Sequence, residues 1–296
     1  MESANYIVQQ LINGIQLGSV YAIIALGYTM VYGVLRMINF AHGDVFMLGA
    51  FFSYYLLNKF KLPLTPTVLL TVAGTALVAF LIEKIAYKPL RNAPRISLLI
   101  TAVGVSLFLE YTLSLNIFFS PNYIGYPRPF EIVSYNFPLF SVTNIHIFIF
   151  FSTVISLFLL YLLIYKTKQG KAMRAISHDM ETASLMGINT DNIISFTFLI
   201  GGALAGLGGM LYAIAYPQIN VFMGIMPGIK SFVAAVLGGI GVIHGAVLGG
   251  FIIGIAEVFV SAFLSSTLRD GVIFLILFIF LLIRPYGLFG KRVEKV

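Results

Sequence analysis

Uncharged, apolar stretches of some twenty residues recur along this chain, and they leave few folds open. The hydrocarbon core of a bilayer is about 30 Å thick and takes about 20 apolar residues in helical form. Residues 12–35, 44–58, 64–83, 96–119, 144–165, 192–216 and 268–283 meet or approach that requirement. A soluble domain has about 25% charged residues, but here Asp, Glu, Lys and Arg make up 10% and hydrophobic residues 59%. That leaves too little polar surface to cover a globule in water. The fold class read from the sequence is an all-α integral membrane protein, a polytopic helical bundle. The first apolar run lacks a basic n-region and a small-residue cleavage site, so it is read as a retained helix and not a signal peptide.

Residues 229–263 are also apolar, but 35 residues are too long for one crossing. The glycine-rich LGGIGVIHGAVLGG within them predicts a split near His244. Basic residues test this. Lys84, Lys88, Arg91 and Arg95 form one cluster, Lys166, Lys168, Lys171 and Arg174 a second, and Arg284, Lys291, Arg292 and Lys295 a third. Clustered Lys and Arg mark cytoplasmic loops. All three clusters face the same side only if 229–263 crosses twice or dips in and out. The expectation is about 8–9 segments with broken or re-entrant helices, N-terminus outside and C-terminus cytoplasmic. Residues 120–143, with only Arg128 and Glu131, form an external loop.

Two places interrupt the apolar pattern. In GVLRMINFAHGD (33–44), Arg36, Asn39, His42 and Asp44 fall at or near membrane depth, and GGIGVIHG (238–245) is the second break. Irregular backbone at that depth survives only inside protein or beside water. Each break precedes an outward helix, a brief turn and an inward helix, which hints at an internal repeat of the kind transporters use. Asn39, His42, Asp44, Glu110, His244 and Glu257 are the candidate pathway residues, since an intramembrane ionisable group is a functional candidate by default. Structural roles are equally open: Asp44 can pair with Arg36 or cap the helix that follows. The spacings Gly202/Gly206, Gly241/Gly245/Gly249 and Gly250/Gly254 let helices approach closely, as tight packing or as a sliding seam. With no cysteine, thiolate metal sites and disulfides are excluded. Two histidines without a carboxylate pair predict no metal site, and no nucleophile–base constellation points to catalysis.

The segment RAISHDMETASLMGI (174–188) is polar and mixed in charge between two long apolar runs. Ser177 is the predicted N-cap, Ile176, Met180 and Ala183 share a face, and Gly187 is a natural stop. A three-turn helix is marginal in water unless something holds it. It has too few basic and bulky residues for a lipid anchor, which favours a protein partner.

GKAMRAISHDMETASLMGINTDNIISFTFLIGGALAGLGGMLYA resembles the cytoplasmic loop and following helix of the permease subunits of ATP-binding-cassette importers for branched-chain amino acids. LGYTMVYGVLRMINFAHGDVFMLGA, FVAAVLGGIGVIHGAVLGGFIIGIAE and IRPYGLFG resemble further blocks of that family, in order. The INFAHGD form and short N-terminus resemble the smaller of its two permease types. The resemblance implies one transmembrane permease domain over 1–296, with residues 166–190 as a coupling loop seated on an ATP-hydrolysing subunit. Arg174, Ala175, Asp179, Ala183 and Gly187 fall on the coupling motif; His178 stands where an acidic or polar residue is usual. It also implies a second related permease subunit in a heterodimer, two ATPase subunits, an external binding protein and a bacterial or archaeal plasma membrane. Transport by alternating access needs no cofactor on this chain; ATP and magnesium serve the partner subunits. In agreement, the chain has no G-x-x-x-x-G-K-[ST] stretch to cradle phosphates. Nucleic acid has no place in this scheme. The alternative is a self-contained secondary transporter or channel for small polar solutes such as urea or amides.

Overall fold

The computed structural model describes residues 2–290 except 92, 117 and 120. Lys291, Arg292 and Lys295 of the third basic cluster lie outside the described residues. Helices α1 (Glu2–Leu35), α2 (His42–Asn58), α3 (Leu64–Ile82), α4 (Arg95–Leu113) and α5 (Asn144–Lys166) come first. They are followed by α6 (Lys168–His178), α7 (Met180–Leu185), α8 (Thr190–Ala215), α9 (Ile225–Gly238), α10 (Ile243–Phe263) and α11 (Arg269–Ile283). Among the described residues six helices are long and apolar enough to cross a membrane. The remaining apolar helices are shorter, with 17 residues in α2, 14 in α9 and 15 in α11. At 1.5 Å per residue, α9 covers roughly 21 Å, less than a bilayer core.

Residues 229–263 are split where glycine predicted it. The chain breaks at 239–242, between α9 and α10, with Gly239 at φ +102°. That conformation is open to glycine and costly for a residue with a Cβ. His244 therefore lies in the first turn of α10 and not at the break itself. The first break spans 36–41, between α1 and α2.

Two boundaries need correction. Helix α1 starts at Glu2, ten residues before the predicted 12. Helix α4 stops at Leu113 and not at 119. The Phe119 ring stacks on Phe51 of α2 at 4.2 Å, and its N–H bonds the Leu113 carbonyl, so the chain folds back. Residues 121–143 then form loops and short strands. β1 (Ile124–Gly125) pairs antiparallel with β4 (Gln218–Ile219), and β2 (Ser134–Asn136) with β3 (Ser141–Thr143).

α1 is the central pillar. Of its membrane window 89% is buried, against 17% for α4. It packs against α10, α8, α9 and α5. Glycine permits the contacts: a Cβ on Gly18 would come within 2.8 Å of the Phe251 Cα, and one on Gly250 within 2.6 Å of the Ala22 Cα. Gly202 and Gly206 face Ala79 and Thr75 of α3, and Gly209 faces the Phe46 carbonyl of α2. The predicted small-residue spacings thus serve close helix packing. Gly241 is the exception, a turn residue at φ +90° in ordinary contact with Gly33.

The bundle has two ends. The basic end holds the break at 36–41, residues 83–91 and α6–α7; the far end holds the start of α1, the strands and the α10–α11 turn.

Candidate functional site

At the basic end the polar segment forms two helices where one was predicted. Asp179 adopts extended backbone, φ −152° and ψ 113°, ending α6 and starting α7. Its carboxylate accepts from the Glu181 and Thr182 amides at 2.9 and 3.1 Å and from the Thr182 hydroxyl at 2.6 Å. Those Thr182 bonds hold the Asp179 carboxyl below its ordinary range. Asp179 is therefore the N-cap. Ser177 is not; its hydroxyl donates to the Arg174 carbonyl at 2.7 Å. The kink also breaks the expected face: Ile176 and Ala183 are buried, while Met180 turns out. Gly187 closes α7 at φ +83°, with its amide on the Ser184 carbonyl and the Ile188 amide on the Ala183 carbonyl. This is a Schellman C-cap, which asks for glycine at that position. Asn189 then caps α8.

Two arginines hold this segment to the bundle. Arg174 donates to the Ile164 carbonyl at 3.0 Å and lies over the Tyr165 ring, fastening α6 to the end of α5. Arg36 donates to the Ser177 and His178 carbonyls at 3.0 and 3.4 Å. It thereby satisfies the orphan carbonyls that end α6. Arg36 is thus not paired with Asp44. A cavity of about 270 Å³ lies between α6, α1 and the second break, lined in part by Gly33, Arg174, Ser177 and Gly241. Ala175 is half-buried and packs against the hydrophobic core. What remains uncovered is the tip of α7, where Leu185 is 83% and Met186 79% exposed.

Asn39, His42 and Asp44 are all buried. Asn39 accepts from the Tyr87 hydroxyl at 2.7 Å. Tyr87 ends a π-helical turn, Glu83–Tyr87, that continues α3. The His42 ring lies 4.4 Å from Tyr28, which in turn contacts Phe232 at 5.9 Å. Asp44 faces Ser106 and Glu110 of α4, so the structure brings two predicted carboxyls together. His244 does not join them; it is exposed at the basic end, edge-on to Phe289 at 5.1 Å. Among the described residues no three His, Asp or Glu side chains gather at metal-binding spacing.

An ion network beside this break was read from the sequence only as topology. Arg91 bridges the Glu83 and Asp191 carboxylates, Lys88 meets Asp191 at 2.9 Å, and the Ser195 hydroxyl donates to Glu83 at 2.6 Å. The network ties α3 to the start of α8, just after α7. Arg91→Ala leaves the fully buried Glu83 without a cation. The expected cost is about 3–5 kcal/mol, measured by unfolding in detergent, and Glu83→Gln in the same chain should recover much of it.

Glu257 belongs to a second network, near the far end, that sequence reasoning missed. Lys230 of α9 meets Glu257 at 2.7 Å and Asp270 at 2.7 Å. Tyr21 of α1 donates to Glu257 at 2.8 Å, and Arg269 Nε lies 3.2 Å from it. Four helices thus converge on one carboxylate. A lone Lys230 inside an apolar run was the signal that could have found it. Two cavities flank the cluster, of about 460 and 430 Å³, and both are lined by Glu257 and Arg269.

Comparison with known proteins decides the family. Residues 10–282 match the family described as branched-chain amino acid transport system / permease component. The chain belongs to this family. The permease is 43% identical to the "High-affinity branched-chain amino acid transport system permease protein LivH" of Salmonella typhimurium, over 98% of each chain. It is 41% identical to the corresponding BraD protein of Pseudomonas aeruginosa over the full length of both. A "Probable branched-chain amino acid transport permease protein LivH" of Methanocaldococcus jannaschii is 33% identical over 93% of this chain and 90% of its own. No solved structure matches. The permease is a multi-pass plasma-membrane protein and its family is one of transport.

Proposed function

We propose that this permease moves leucine, isoleucine, valine or related amino acids into the cell by alternating access, driven by two partner ATPases. A second related permease subunit and an external binding protein complete the assembly. The basic end is cytoplasmic and the far end external, with about nine membrane segments. The observation that supports the mechanism best is the α6–α7 segment. It is anchored by Arg36 to the first break and borders the second across the basic-end cavity, yet its Leu185–Met186 tip is uncovered. A push on that tip reaches both interrupted places at once. Cavities at both ends, with the Tyr28–His42–Phe232 stack packed in the bundle interior, suit a pathway open to one side at a time.

The roles follow from position. Ala183 is the small buried contact under α7, and Asp179 and Gly187 fix its two ends. Arg174 transmits motion to α5. Asn39, His42, Asp44 and Glu110 lie along the pathway, and Glu257 near its external end. The test is uptake of radiolabelled leucine by vesicles holding the full complex, with and without ATP. Uptake is expected only with ATP, and Arg174→Glu and Gly187→Pro are expected to insert normally but lose it. Uptake that persists without ATP and collapses when ion gradients are dissipated would favour a self-contained transporter.

A further inference from the structure

We infer that the far-end cavity of about 430 Å³ is an amino-acid binding site, in which Arg269 anchors the substrate carboxylate. The inference rests on the transport reading above and names a site for it. Arg269 begins α11, where its side chain is 42% exposed. Its ion pairs run from Nε, 3.2 Å from Glu257 and 3.4 Å from Asp270. Among the described residues neither terminal amino group makes a hydrogen bond to protein. A guanidinium fork with two free donors matches a carboxylate bidentately.

The fork is held in place. Glu257 steers Nε and is itself fixed by Lys230 and Tyr21. Two cations and two carboxylates sum to zero in this cluster. It therefore presents a local dipole without net charge, which suits a zwitterion better than an anion or a cation. The remaining groups of an α-amino acid have counterparts on the same cavity wall. Asn220 lines it, is 8% exposed, and has a buried side-chain oxygen without a partner, an acceptor for the ammonium. Phe222, Met223 and Met226 supply an apolar wall. Methionine adapts to ligands of different shape, as a site for several aliphatic side chains requires. The volume lies within the roughly 300–1,000 Å³ of small-molecule sites. The neighbouring cavity offers Gln10, Asn13, Gln16 and His146 instead, a more polar surface suited to water.

The experiment uses the reconstituted full complex and two variants, Arg269→Gln and Met226→Trp. Leucine and alanine uptake, ATP hydrolysis and assembly are measured for each. Loss of a charged hydrogen-bonding partner in Arg269→Gln is expected to lower uptake of both amino acids about tenfold or more, with wild-type assembly. Met226→Trp fills the apolar side and is expected to lower the leucine-to-alanine uptake ratio about fivefold or more, in the range of methylene discrimination by pockets. Near-normal uptake by Arg269→Gln, or an unchanged ratio in Met226→Trp, overturns the site. If Arg269→Gln fails to assemble, the Met226→Trp ratio alone decides. A wild-type complex that moves no aliphatic amino acid with ATP overturns the transport reading itself, and the site with it.

Discussion

Leu185→Glu combined with Met186→Glu is expected to abolish ATP-driven uptake while leaving the permease folded. Both side chains are largely exposed, and neither belongs to the core. Surface substitutions of that kind usually change stability by no more than about 0.5 kcal/mol. An apolar anchor in a protein interface is worth about 2 kcal/mol or more. Losing two such anchors from a groove of the partner would therefore lower occupancy of the coupled state about a thousandfold. The same charges facing only water would change nothing. Uptake and ATP hydrolysis by the complex, with the thermal midpoint of the purified permease as control, separate these outcomes.

The second large effect concerns folding. Gly209→Ala is expected to leave the permease inserted but not folded, because the new methyl group would occupy the space of the Phe46 carbonyl of α2. Backbone cannot yield as a flexible side chain can. The cost should reach or exceed the upper end of the about 1–3 kcal/mol typical of overpacking. Gly206→Ala, against Thr75, is expected to behave similarly. Gly104→Ala is the control: nothing lies within 4 Å of its Cβ position, and the change should be neutral or slightly stabilising. Protease resistance in detergent reads all three.

What was legible in the sequence followed from local physics. The break at 239–242 shows in a glycine run and in the need to keep three basic clusters on one side. The polar α6–α7 segment shows in its composition, and its end in Gly187. Its internal kink did not show, because Asp179 and Ser177 are both acceptable caps and only the backbone at 179 distinguishes them. Pairings across long sequence separations were also hidden. Arg36 lies eight residues from Asp44 but bonds carbonyls of α6, 141 and 142 residues away. Lys230, Glu257 and Arg269 sit on three helices; Lys230 and Glu257 each read as an isolated charge in an apolar run, and Arg269 as half of a local pair with Asp270. Arg91 and Lys88 were legible as orientation signals, but their joint hold on Asp191 depends on how α3 meets α8.

The most direct measurement of the central claim is photo-crosslinking from position 185 in the assembled, membrane-embedded complex. A cross-linker there is expected to capture an ATPase subunit in high yield, and to do so differently with and without bound nucleotide. Capture of lipid alone, or of no polypeptide in either nucleotide state, would contradict the account.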